Sequence, residues 1–193
     1  MNPATCERRM LESMTILFSG DSGDGMQLIG SQFTSTSAIL GNDVRTLPDY
    51  PSEIRAPAGT MAGVSAFQVS ISSCKIQAPG DQLDALVAMN PAAMRAFLSR
   101  LKPGGLLIVD NDAFGTSNLR KAGYDSNPLD DPELNVRYQF HAVPISTQTQ
   151  SSLEDIDLEK SNKRRCKNFF ALGLLYWLFD RPLEPSRDWI KRK

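Results

Sequence analysis

Met14-Thr15-Ile16-Leu17-Phe18-Ser19-Gly20-Asp21-Ser22-Gly23-Asp24-Gly25-Met26-Gln27 decides the fold. Met14 to Ser19 is a short apolar run ending on a glycine cluster, which reads as a buried strand. Beyond Gly25, apolar residues at Met26, Ile29 and Phe33, continuing less regularly from Ala38 to Leu40, predict a helix. A strand, a glycine turn and a helix in that order are the opening unit of an α/β sheet.

The rest of the chain repeats the alternation. Val44 to Leu47, Val64 to Ile71, Asp84 to Met89, Leu106 to Asp110 and Val136 to Val143 read as further strands. Pro91 opens a helix through Leu101, because its missing N–H costs nothing in a first helical turn. Lys163 to Phe179 reads as a last, strongly apolar helix, and its Lys163-Arg164-Arg165 run falls at the end of a helix dipole that disfavours cations. Two stretches stay irregular: Pro48 to Gly63, and Asn111 to Asn135. The alternation predicts a three-layer α/β open sheet, mostly parallel, with helices on both faces. Residues 1–13 are expected to form a tail and residues 14–193 a single domain.

Composition narrows the function. With 21 Lys and Arg against 22 Asp and Glu, the net charge of −1 lacks the basic excess of a nucleic-acid binder. Cys6, Cys74 and Cys166 are too few and too scattered for a disulfide framework or a cluster site. The single histidine, His141, has no companion ligand nearby, which argues against metal binding and against Ser-His-Asp chemistry. The segment before Met14 is polar, so no secretory leader is expected. Phe169 to Phe179 falls short of the ~20 apolar residues that span a bilayer. The expectation is a soluble cytoplasmic domain that engages neither membrane nor nucleic acid.

The glycine loop fails three motifs. Gly20 and Gly25 have P-loop spacing, but Met26-Gln27 stands where Lys-Ser/Thr is required, so nucleotide hydrolysis has no support. Counted from Gly23 and Gly25, the third glycine of a dinucleotide fingerprint falls on Leu28. Gly23-Asp24-Gly25 opens a thiamine-diphosphate motif, yet Tyr50 to Arg55 supplies no Asn to complete a magnesium shell. Two readings remain for the loop. It is a tight turn whose Asp21 and Asp24 cap the next helix, or an anion site built from backbone N–H groups and a helix N-terminus. The anion reading needs a cation, such as Arg45 or Arg55, to offset the aspartates. Glu53 and Arg55 lie two apart in a stiff, proline-flanked segment. They form either a solvated pair or a fork for a carboxylate or phosphate.

Four separated motifs then resemble one family. Phe18 to Gln27, Leu47 to Thr60, Val87-Ala88-Met89-Asn90-Pro91-Ala92-Ala93 and Lys167-Asn168-Phe169-Phe170-Ala171-Leu172-Gly173 resemble the gamma module of 2-oxoacid:ferredoxin (acceptor) oxidoreductases. The version fused to the front of the 2-oxoglutarate-type alpha subunit is the nearest in pattern. The resemblance implies an enzyme complex that converts a 2-oxoacid plus coenzyme A to acyl-CoA and CO2. Thiamine diphosphate, magnesium and [4Fe-4S] clusters would lie in partner domains, and electrons would pass on to ferredoxin. It implies no catalytic residue and no metal ligand in this chain, which would be inactive alone. Its partners would be the thiamine-binding alpha and beta subunits or domains. Coenzyme A is the ligand expected here, with Gly20, Asp21, Ser22, Gly23, Asp24, Gly25, Met26, Glu53, Arg55 and Asn90 as contact candidates. The chain is expected to be a free gamma subunit or part of a longer alpha subunit. The alternative is a stand-alone anion- or nucleotide-binding α/β protein with no redox role.

Overall fold

A computed structural model describes residues 10–21, 25–50 and 63–192. Six strands form one sheet: β1 (Ser13–Asp21), β2 (Asp43–Asp49), β3 (Val64–Ser72), β4 (Leu83–Ala88), β5 (Leu101–Asp110) and β6 (Gln139–Val143). Their spatial order is β2-β3-β1-β4-β5-β6. β1, β4, β5 and β6 run parallel, while β3 is antiparallel to both β1 and β2. Only β3 is reversed, and the mostly parallel open sheet expected from the alternation is found.

Eight α-helices accompany the sheet among the described residues: α1 (Met26–Ile39), α2 (Pro91–Phe97), α3 (Thr116–Lys121), α4 (Glu133–Arg137), α5 (Ile145–Ser152), α6 (Lys160–Arg165), α7 (Lys167–Leu178) and α8 (Glu184–Lys191). The two faces of each strand bury different cores, as the pleat requires. On one face Ile16, Phe18, Val87 and Ile108 pack with Met26 and Phe33 of α1, Ile145 of α5 and Leu172, Leu175 and Tyr176 of α7. On the other, Leu17, Leu86, Leu107 and Val109 pack with Met94 of α2, Leu119 of α3 and Leu134 of α4. Gly30 lets α1 lie close on the sheet, since a Cβ there would fall inside the Phe67 ring.

Several boundaries differ from the sequence reading. β5 starts at Leu101, not Leu106, because Gly104 takes a positive φ of 74° and carries the chain onward as strand. α2 correspondingly ends at Phe97, followed by a short 3-10 turn at Leu98–Arg100. The strand expected from Val136 begins at Gln139, since Val136 belongs to α4. Asn111 to Asn135 is less irregular than expected, holding α3 and the start of α4. The last helix is two helices meeting at Cys166. That break moves Lys163, Arg164 and Arg165 into the last turn of α6, the dipole end that favours cations, and removes the objection to them. α5 and α8 are polar or short enough to have escaped the periodicity argument. No helix among the described residues is long and apolar enough to cross a membrane.

Candidate functional site

The chain leaves β1 through α1 toward the β2 edge, then returns past β1 to β4. β1 and β4 are therefore adjacent, parallel and connected in opposite directions, which makes their carboxyl ends the switch point where open sheets hold ligands. Ser19 fastens the two strands there: its Oγ donates to Val87 O at 3.0 Å, and its O accepts from Met89 N at 2.9 Å. α1 and α2 then depart on opposite faces, so the crevice lies between their N-termini.

Asn90 sits on the β4 side of the crevice and Asp21 on the β1 side. Asn90 Nδ2 donates to Asp21 Oδ1 at 2.7 Å, while Asn90 Oδ1 accepts from Ala93 N at 2.8 Å and caps α2. Pro91 follows the cap in the first turn, as the sequence suggested. The Asp21 carboxylate is thus engaged within the protein rather than projected bare into the crevice.

The α1 end is different. Its N-cap is Gly25, left-handed at φ 72°, and no side chain caps the helix from that position. No acidic residue stands in its first turn. Ile29 N makes the bond to Gly25 O, which leaves the N–H groups of Met26, Gln27 and Leu28 without intrahelical acceptors. Asn168, 8% exposed in the first turn of α7, packs its amide against Gly25. Gln27 ties the same turn to the β2–β3 rim. Its Nε2 donates to Ala66 O at 2.9 Å and Ser65 Oγ at 3.2 Å, and its Oε1 is buried with no partner among the described residues.

A second polar cluster closes the β5 end. Asp110, fully buried, accepts from Ser146 Oγ at 2.8 Å, and Asp112 accepts from Thr147 N at 2.6 Å, so two aspartates cap the start of α5. Burial pushes the Asp110 carboxyl above its ordinary 3.8 and Asp112 adds to that, against the Ser146 hydrogen bonds and Lys167, which pull it down.

Of the sequence candidates, Gly20, Asp21, Gly25 and Asn90 gather at this crevice with the start of α1. Met26 joins it through its backbone alone, because its side chain is in the core. Ser22, Gly23, Asp24, Glu53 and Arg55 lie outside the described residues. His141 is exposed on β6. Among the described residues no three His, Cys, Asp or Glu side chains group to hold a metal. Asn168 and Asp110 were not singled out in sequence. Asn168 stood inside a quoted motif, but nothing local says that it meets Gly25.

Fold and crevice together define an open α/β domain with a donor-lined helix end at its switch point, a form suited to anionic ligands. Comparison with known proteins makes the class specific. The sequence profile of the pyruvate ferredoxin/flavodoxin oxidoreductase family matches residues 15–193, and the chain belongs to that family. It is 50% identical over 190 residues to the 2-oxoglutarate oxidoreductase subunit KorA of Mycobacterium tuberculosis, covering 98% of this chain but 29% of that relative. It superimposes on 2-oxoglutarate:ferredoxin oxidoreductase from Magnetococcus marinus, a structure with 2-oxoglutarate, coenzyme A and succinyl-CoA bound. The TM-score is 0.69 at 25% identity, over 95% of this chain and 28% of that one. The gamma subunit of the keto/oxoacid ferredoxin oxidoreductase from Geobacter sulfurreducens shares the fold, with a TM-score of 0.65 at 23% identity, over 92% of this chain and 83% of that one. The chain thus spans under a third of the first two relatives.

Proposed function

We propose that this chain is the gamma-type module of a 2-oxoglutarate-like 2-oxoacid:ferredoxin oxidoreductase. Its part is to bind coenzyme A and to dock onto the thiamine-binding domains. The observation that carries the reading is the start of α1 at the β1–β4 switch point, where Gly25 offers no side-chain cap and the first turn holds no acidic residue, in a member of this family. Backbone N–H groups and the helix dipole there suit a phosphate of coenzyme A. Arg55, from the segment that follows β2, is the cation assigned to the same phosphate, forking onto an oxygen pair. Thiamine diphosphate, magnesium and the clusters are assigned to other domains; thiamine diphosphate supplies the carbanion chemistry and the clusters the electron path.

Docking falls to the outer side of α7. One stripe, Asn168, Ala171, Leu172, Leu175 and Tyr176, is buried, whereas Trp177 is 70% exposed. An apolar residue of that size left outside a packed helix suits a partner surface.

The test is 2-oxoacid- and coenzyme-A-dependent reduction of a viologen dye, with coenzyme A affinity measured alongside. The chain alone is expected to give no turnover and to gain it only with thiamine-binding partners. Arg55→Ala is expected to weaken coenzyme A roughly 10- to 100-fold in the assembled complex. Anion binding with no partner and no dependence on coenzyme A would favour the stand-alone binding protein instead.

A further inference from the structure

The helices α1 and α7 end in the same way, and their ends meet. α1 closes on Gly41, at φ 83°, with Gly41 N donating to Ala38 O at 2.9 Å and Asn42 N to Ser37 O at 3.3 Å. α7 closes on Asp180, at φ 52°, with Asp180 N donating to Trp177 O at 3.4 Å and Arg181 N to Tyr176 O at 2.7 Å. In such left-handed closures the next residue often packs an apolar side chain back on its helix. Here those residues are polar and they pair: Arg181 Nη1 donates to Asn42 Oδ1 at 2.8 Å.

The surface around this pair is apolar. Ile39, Leu40, Trp177, Leu178 and Leu183 lie close along the chain to one partner or the other, and all are 41–70% exposed. Arg181 itself is half-buried, and its Nε is enclosed with no acceptor among the described residues. Burial pulls the guanidinium below its ordinary 12.5, and Asp180 offsets part of that without closing an ion pair. The two helix dipoles ending here favour a cation, which accounts for the charge. They do not account for donors left without acceptors, and the closing bonds already occupy the carbonyls of Ser37, Ala38, Tyr176 and Trp177. An arginine with unfilled donors among exposed apolar side chains is the form of an interface anchor, and it selects a carboxylate. We infer that the joined ends of α1 and α7 dock an apolar face of the thiamine-binding domain, with one Asp or Glu of that face paired to Arg181. The occupant rests on the function proposed above, which assigns Trp177 to that contact, whereas the carboxylate rests on the geometry at Arg181.

Three substitutions separate docking from the closure of the helices. Arg181→Gln keeps an amide donor for Asn42 but removes the charge, Arg181→Lys keeps the charge, and Ile39→Gln changes only the exposed apolar rim. The full chain and each variant are titrated calorimetrically with the purified thiamine-diphosphate-binding subunits of the complex at low and high salt, and melting temperatures are recorded. Arg181→Gln and Ile39→Gln are each expected to assemble ~10-fold more weakly or worse, with salt dependence lost in Arg181→Gln and kept in Arg181→Lys. Val136→Gln, also exposed but on α4 across the sheet, should assemble like the parent. Parent-like affinity and salt dependence in Arg181→Gln, or a loss confined to its melting temperature, overturns the inference while the docking reading stands. Should Arg181→Gln fail to fold, intact affinity in Ile39→Gln or a parent without salt dependence overturns it instead. A loss in Val136→Gln equal to that in Ile39→Gln overturns the location. A parent chain that binds no thiamine-binding subunit overturns both the inference and the reading beneath it.

Discussion

Asn90 Nδ2 donates to Asp21 Oδ1 at 2.7 Å while the same side chain caps α2 through Ala93 N. One amide therefore links the carboxyl ends of β1 and β4, starts a helix and occupies a carboxylate at the edge of the crevice. Asn90→Ala is expected to cost ~1–2 kcal/mol from the cap alone, read as a lower urea midpoint. Asn90→Asp keeps the cap acceptor but sets two carboxylates face to face, so it should stay destabilised at neutral pH and recover in mild acid. Equal midpoints for both variants at both pH values would dissolve the link between Asn90 and Asp21.

Gly30 and Phe67 make the contact that sets the distance between α1 and the sheet. Gly30→Ala should destabilise by ~1–3 kcal/mol, because the added methyl overlaps a ring that is 7% exposed and cannot swing into solvent. A smaller Phe67→Leu background should absorb part of that loss. Additive effects in the double mutant would show that the ring is not what the methyl meets.

Asp110 makes a pH prediction with a definite sign. Its folded pKa is raised above 3.8, chiefly by burial, so between the unfolded and folded values the native state binds more protons. Stability contributed by this group therefore falls as pH rises through that window. The parent minus Asp110→Asn stability difference should decline across it and level off above. A difference that climbs with pH would mean that Ser146 and Lys167 outweigh desolvation.

Trp177 and Leu175 lie two apart on α7 and should behave oppositely. Leu175→Ala, at 1% exposure, is expected to lose ~2–5 kcal/mol of stability through the cavity it leaves. Trp177→Lys, at 70% exposure, should change stability by no more than ~0.5 kcal/mol but weaken co-purification with thiamine-binding partners. Undiminished co-purification would remove α7 from the docking surface.

The pattern of apolar runs and glycines determined the layers and the mostly parallel sheet, because strand and helix periods are local properties of the chain. The glycines from Gly20 to Gly25 marked the passage from β1 to α1 for the same reason. Boundaries were lost where a single residue redirects the chain: Gly104 keeps β5 running, and Cys166 separates α6 from α7, reversing the meaning of the basic run beside it. α5 was hidden because its start is secured by Asp110 and Asp112, some 35 residues earlier, rather than by its own periodicity. Strand order, and with it the pairing of Asp21 with Asn90 across 69 positions, came only with the tertiary structure. So did the meeting of Asn168 with Gly25. Hydrophobic period is written along the chain, but which polar groups face each other across a crevice depends on how the layers stack, and no local spacing encodes that.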